Sequence, residues 1–226
     1  LDEVVPVFSM WEVALRTALT LGRWGFSQYY HDAERMLGGH SLPSQVRDTS
    51  FIEDPPNPDG VDGLRAVADR HLGAYGFPAH YGHKSVGEGR KNLSFNMDIV
   101  GGTVASLCEA YREVVRSEES GHWVNMLFDH ETDAIKVESC YTNATLRVTL
   151  KRPGPLYVRV PTWLNDVGLQ VEGDAGGRLT NGYLLIPEPP INRPIAFDVP
   201  LPIQHITLKH RSRDIRVRPQ IGRAHD

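Results

Sequence analysis

The hydrophobic rhythm of this chain changes near Gly121, and that change constrains the fold more than any other feature of the sequence. Before it, apolar residues recur every three to four positions. Phe8, Trp11, Ala14, Leu15, Ala18, Leu19 and Leu21 predict a helix with one buried face. Gly22 and Gly25 predict a turn. Ser27 is the expected N-cap of a second helix, whose stripe is Phe26, Tyr29, Tyr30, Ala33, Met36 and Leu37. Asp32 and Glu34 stand two positions apart, so on a helix they point about 200° apart and cannot act as a pair. A third helix is predicted around 100–116. Val100, Val104, Leu107, Cys108, Tyr111, Val114 and Val115 are expected on its buried face, with Glu109, Arg112, Glu113 and Arg116 mostly opposite. Gly101-Gly102 would permit close backbone approach near its start.

After Gly121 the period becomes two. Strands are expected at His122–Phe128, Asp133–Ser139, Ala144–Lys151 and Leu156–Val160, with Pro153-Gly154 turning between the last two. More follow near Leu169–Glu172, Gly182–Ile186, Ile195–Val199 and His205–Lys209. Short strands at this spacing indicate an antiparallel β-sandwich with one wet and one buried face per sheet. The expected fold class is therefore α+β, with a helical part over 1–120 and a sandwich over 121–219. The stretch 48–100 is rich in Pro, Gly, Asp and His, yet carries Tyr75, Phe77, Tyr81 and Phe95. It reads as an ordered loop excursion with a short helix at Val61–His71.

Composition excludes several functions. Hydrophobic residues make up 40% and charged residues 23%, and 24 basic against 28 acidic residues give a net charge of −4. No electrostatic argument for nucleic acid or an anionic membrane follows, and neither is expected as a partner. Cys108 and Cys140 make no disulfide framework; unpaired thiols fit a reducing, cytoplasmic compartment. The chain begins at Leu1 without an initiator Met and is expected to be a C-terminal fragment. Such a fragment would expose helix faces and dissolve poorly. Residues 220–226 read as a sequencing scar or disordered tail.

Several stretches, taken in order, carry a family resemblance. Tyr29-Tyr30-His31-Asp32-Ala33-Glu34-Arg35-Met36-Leu37 resembles a helix near the end of an α/α toroid. Asp98-Ile99-Val100-Gly101-Gly102-Thr103, with Leu107-Cys108-Glu109-Ala110-Tyr111, resembles the toroid's last inner segment. His122 to Phe128 resembles the first strand of the sandwich after it. Leu156-Tyr157-Val158-Arg159-Val160-Pro161-Thr162-Trp163 resembles a later one. Together, over about residues 10 to 215, the chain resembles the β-L-arabinofuranosidase family of glycoside hydrolases. The resemblance implies the closing helices of a toroid followed by a sandwich, and a glycosidic bond in arabinose-containing or related glycans as substrate. Family members carry a Cys-Cys pair just before the last toroid helix, which binds zinc with an upstream Glu and Cys. This chain has Met97-Asp98 there, so neither the zinc–cysteine mechanism nor any other cofactor is predicted.

Most glycosidases use two carboxyl groups. Asp98, approaching a helix N-terminus that favours its anion, is the first catalytic candidate, and Glu88, between Gly87 and Gly89, the second. A second carboxylate would come from upstream of the chain. His80, Tyr81 and His83 are candidates for sugar binding, since aromatic faces stack on sugars and imidazoles bond hydroxyls; no metal is assigned to them. Cys108 is expected in the core, and His40, Trp123 and Trp163 are expected to be structural. Two other readings stay open. One is a non-catalytic carbohydrate-binding or degenerate relative. The other is a polysaccharide lyase using a Tyr/His pair.

Overall fold

The computed structural model describes residues 5–42, 45, 47–50, 53–73, 75, 97–164, 170–171, 177–201, 206–210 and 213–217. The chain divides into two compact units. The first comprises 1–21 and 32–111, the second 22–31 and 112–226.

In the first unit, α1 (Val5–Arg23) buries Leu15, Ala18 and Leu19 as its spacing predicts. Helix α2 (Gln28–Met36) buries Ala33 and runs into a π-helical turn, Leu37–Ser41. The loop excursion holds a 3-10 turn, Asp62–Leu64, and α3 (Val67–His71), where one short helix was expected. Helix α4 (Met97–Val114) buries Val114, and Val115 just after it, as predicted, but corrects the face before them. Val104, Cys108 and Tyr111 are exposed, whereas Thr103, Ser106, Ala110 and Glu113 are buried. Apolar character marks a buried helix face only where the neighbouring surface is apolar too. Here the buried side of α4 meets partners that hydrogen-bond.

Strand β1 (Val115–Glu118) follows α4 with no intervening loop, so the change to extended backbone comes ahead of Gly121. It pairs with β2 (Gly121–Val124) across a two-residue turn. Gly121 has φ +142°, and a Cβ there would lie 2.6 Å from the Pro155 carbonyl oxygen, so a side chain is excluded. The chain continues through β3 (His130–Glu131), β4 (Ile135–Glu138), β5 (Leu146–Leu150) and β6 (Leu156–Arg159). It then forms β7 (Gln170–Val171), β8 (Arg178–Thr180), β9 (Tyr183–Ile186) and β10 (Pro194–Asp198). A separate ribbon, β11 (Ile206–His210) with β12 (Arg213–Val217), ends the described chain.

Two five-stranded sheets result, ordered β1-β2-β6-β9-β8 and β3-β4-β5-β10-β7. They are not wholly antiparallel, because β2 and β6 pair parallel. The chain leaves the first sheet after β2, builds β3 to β5 in the second, and re-enters at β6 in the original direction. Alternation decides burial. Ile135 and Val137, Leu146, Val148 and Leu150, and Ile195 and Phe197 are buried, while Arg147 is exposed. Each large side chain taken from water contributes about 1.5–3 kcal/mol before chain entropy is subtracted.

Ser27 does not cap α2 with its side chain. Its hydroxyl donates instead to the Asn181 carbonyl, 3.0 Å away, and the Asn181 amide donates to the Gly25 carbonyl at 2.9 Å. Asn181 and Gly182 both have positive φ, the two-residue turn that suits the β8–β9 hairpin. The α1–α2 turn is thereby fastened to that hairpin. Trp163 bonds the Pro200 carbonyl at 2.9 Å and meets His31 edge-on, and Trp123 stacks on Tyr157 at 4.7 Å. Both tryptophans thus make packing contacts within this unit.

Candidate functional site

Of the five catalytic and sugar-binding candidates read from sequence, the structure describes the backbone of one. Asp98 is the second residue of α4, within its first turn. Glu88, His80, Tyr81 and His83, with His40's side chain and the tail from Gln220, lie outside the described residues.

Helix α4 brings a different carboxylate to notice. Glu12 on α1 is buried, and the Thr103 hydroxyl donates to its Oε1 at 2.7 Å. Further along, the Arg16 guanidinium reaches Glu109 at 2.7 Å. Glu12 with Thr103 and Arg16 with Glu109 advance together along both helices, so α1 and α4 run parallel in this unit. The exposed Arg16–Glu109 pair is screened by salt and contributes little. The enclosed Glu12–Thr103 contact matters more, because a carboxylate taken from water without partners is strongly penalised.

Ser106 lies one turn beyond Thr103 on the same buried side, fully enclosed, and its hydroxyl has no partner among the described residues. Helical hydroxyls usually fold back onto the carbonyl four residues earlier, as Thr17 and Thr20 do at 2.7 and 2.8 Å. Ser106 does not. A buried hydroxyl left so costs about 1–3 kcal/mol. Sequence reading missed Glu12. The signal was available, since Glu12, Leu15 and Leu19 share one helix face and a charge there breaks the apolar stripe.

The second unit holds a larger polar cluster. Glu113 accepts from Arg23 Nε at 2.9 Å and from the Tyr30 hydroxyl at 2.8 Å. The Asn125 amide donates to the Glu113 carbonyl at 3.0 Å and accepts from the Tyr183 hydroxyl at 2.7 Å. The fully buried Arg159 donates from Nε to the Asn125 carbonyl. Burial pushes the Tyr183 phenol up to about 12. Burial, then the Glu113 charge, raises Tyr30 as well. Both phenols are therefore neutral donors at neutral pH. The named contacts tie α2, α4, the residue after β2, β6 and β9 together within this unit.

The zinc–thiolate arrangement does not fit. Zinc favours thiolate and imidazole donors, and Met97-Asp98 supplies neither. Cys108, ten residues past Asp98, is about 15 Å down the helix axis. It is also exposed, not in the core as predicted, and Cys140 lies beyond β4 in the other unit. Among the described residues no three His, Cys, Asp or Glu side chains gather as metal ligands. No described helix is long and apolar enough to cross a membrane.

No family model and no curated protein matches the chain by sequence. Solved structures do match by fold. A glycoside hydrolase is 15% identical at a TM-score of 0.51, over 86% of this chain and 33% of that one. The chain shares its fold with a stretch of a glycoside hydrolase. A GH127 β-arabinofuranosidase is 14% identical at a TM-score of 0.49, over 92% of this chain and 32% of that one. A GH127 β-L-arabinofuranosidase from Geobacillus stearothermophilus T6 is 15% identical at 0.45, over 85% and 32%. The chain spans about a third of the length of these structures. At such identity the likeness concerns fold, and the chemistry has to be argued from residues.

Proposed function

We propose that this chain is part of a glycoside hydrolase acting on arabinose-containing or related glycans. In this reading the helices belong to an α/α toroid, and the two sheets form the sandwich that follows it. The fold shared with a glycoside hydrolase over 86% of the chain carries the reading. The parallel course of α1 and α4 supports it, since the inner helices of a ring of helical hairpins all run the same way.

Hydrolysis needs one carboxyl group to protonate the leaving oxygen and a second to activate water or attack the anomeric carbon. Asp98, in the first turn of α4, suits the ionised role because the N-terminal end of a helix favours a negative charge. Glu88 is the second candidate, with His80, Tyr81 and His83 as sugar-binding groups. The test uses protein expressed from the intact gene, assayed on a panel of aryl glycosides that includes L-arabinofuranosides. Turnover is expected on at least one, falling on the order of 10²–10⁴-fold in Asp98→Asn. No turnover on any member would remove the assignment.

A further inference from the structure

Asn181-Gly182 is the chain's single Asn-Gly pair, and it forms the turn of the β8–β9 hairpin, with Asn181 exposed to solvent. Both residues have positive φ, +46° and +76°. The pair also holds the α1–α2 turn. Asn181 Nδ2 donates to the Gly25 carbonyl at 2.9 Å, and the Asn181 carbonyl accepts from the Ser27 hydroxyl at 3.0 Å. The approach is close enough that a Cβ on Gly182 would collide with that hydroxyl.

A glycine after an asparagine leaves its own backbone nitrogen unshielded, since no Cβ stands beside it. That nitrogen can attack the carbonyl carbon of the Asn181 side chain. The bond from that carbon to Nδ2 breaks, ammonia leaves, and a five-membered imide forms. Water then opens the imide at one carbonyl or the other, giving aspartate or isoaspartate. We propose that Asn181 is a site of spontaneous deamidation whose conversion unfastens the α1–α2 turn from the β8–β9 hairpin. Ammonia cannot leave while its nitrogen donates to Gly25, so the reaction waits for this contact to open. Afterwards the carboxylate has no proton to give the Gly25 carbonyl. Isoaspartate also lengthens the turn by one backbone atom where it meets Ser27. The opened contact is therefore not remade.

Ageing the whole chain at mildly alkaline pH, native and in urea, with peptide mass mapping tests the proposal. Conversion is expected at Asn181, on the order of ten- to a hundredfold slower in the native chain than in urea. Asn192 also has positive φ but precedes Arg193, and should stay unconverted in the same map. Asn181→Asp, which carries the product side chain, should melt about 2–4 °C lower than the parent. Trypsin should cut it after Arg23, in the released turn, about three- to tenfold faster, while cleavage after the exposed Arg65 of the other unit keeps its rate. An Asn181 amide that survives in urea, or that converts as fast in the native chain as in urea, overturns the proposal. So does an Asn181→Asp variant with the melting point and the Arg23 cleavage rate of the parent.

Discussion

The sheets and helix α4 bury opposite kinds of surface. In β4, β5 and β10 the enclosed residues are Ile135, Val137, Leu146, Val148, Leu150, Ile195 and Phe197. In α4 they are Thr103, Ser106, Ala110 and Glu113, together with Val114, while Val104 and Tyr111 face outward. A sheet core selects for apolar volume, since dispersion and the loss of hydrated surface are what it gains. The enclosed side of α4 selects for hydrogen bonds, from Thr103 to Glu12 and from Tyr30 to Glu113. Burial by itself therefore does not say which physical term holds a segment in place.

The largest expected effect tests the apolar side of this contrast. Phe197 is wholly enclosed in β10, and Phe197→Ala should cost about 3–5 kcal/mol through lost contacts and the cavity left behind. Val104 is 49% exposed, so Val104→Ala should change stability by no more than about 0.5 kcal/mol. Urea unfolding of both variants under one set of conditions measures the gap. Equal losses would break the contrast, because the outward face of α4 would then behave as core.

A smaller effect probes the polar side. Tyr30→Phe deletes the hydroxyl that donates to Glu113 and leaves that buried carboxylate short of a donor. The loss should be about 1.5–3 kcal/mol, the range for hydrogen bonds to charged groups. A double-mutant cycle with Glu113→Gln isolates the pair. Coupling of about 1 kcal/mol or more would show that the polar face stabilises through this contact, and none would mean that ring packing alone keeps Tyr30 in place.

The sequence disclosed these two surfaces unequally. Leu146-Arg147-Val148-Thr149-Leu150 names its own buried face, because only a strand puts alternate residues on opposite sides. Strand β1 was hidden, since Val115-Arg116-Ser117-Glu118 continues a helical run with no breaking residue before it. Strand β8 is three exposed residues long and shows no alternation, although Asn181-Gly182 behind it was a usable hairpin signal. The face of α4 was misread because Val104, Cys108 and Tyr111 carry its apolar character, while small polar residues meet its neighbours. The position of Asp98 at a helix start was legible, from the apolar spacing that follows it. The burial of Glu12 was signalled by its place on the Leu15–Leu19 face, but its partner Thr103 on α4 was not.

Alkaline pH separates the two surfaces most finely. Tyr183 is pushed up from 10.0 to about 12, by burial first; Arg159 and Arg116 pull the other way, and Glu113 adds to the rise. Between those values the unfolded chain releases this proton while the folded chain keeps it, so unfolding gains as pH climbs. The contribution is whole below about pH 10 and is lost as pH rises through about 12. Tyr30, also raised, acts in the same direction. Tyr183→Phe should start lower by about 0.5–1.5 kcal/mol, having lost its bond to Asn125. It should then fall less steeply than the parent across this window, as read from urea midpoints measured pH by pH. Phe197→Ala should instead lower the whole curve without altering its slope, because an apolar core has no proton to exchange. A Tyr183→Phe curve parallel to the parent's would show that this phenol keeps its ordinary acidity, and that the buried polar cluster is wetter than its geometry implies.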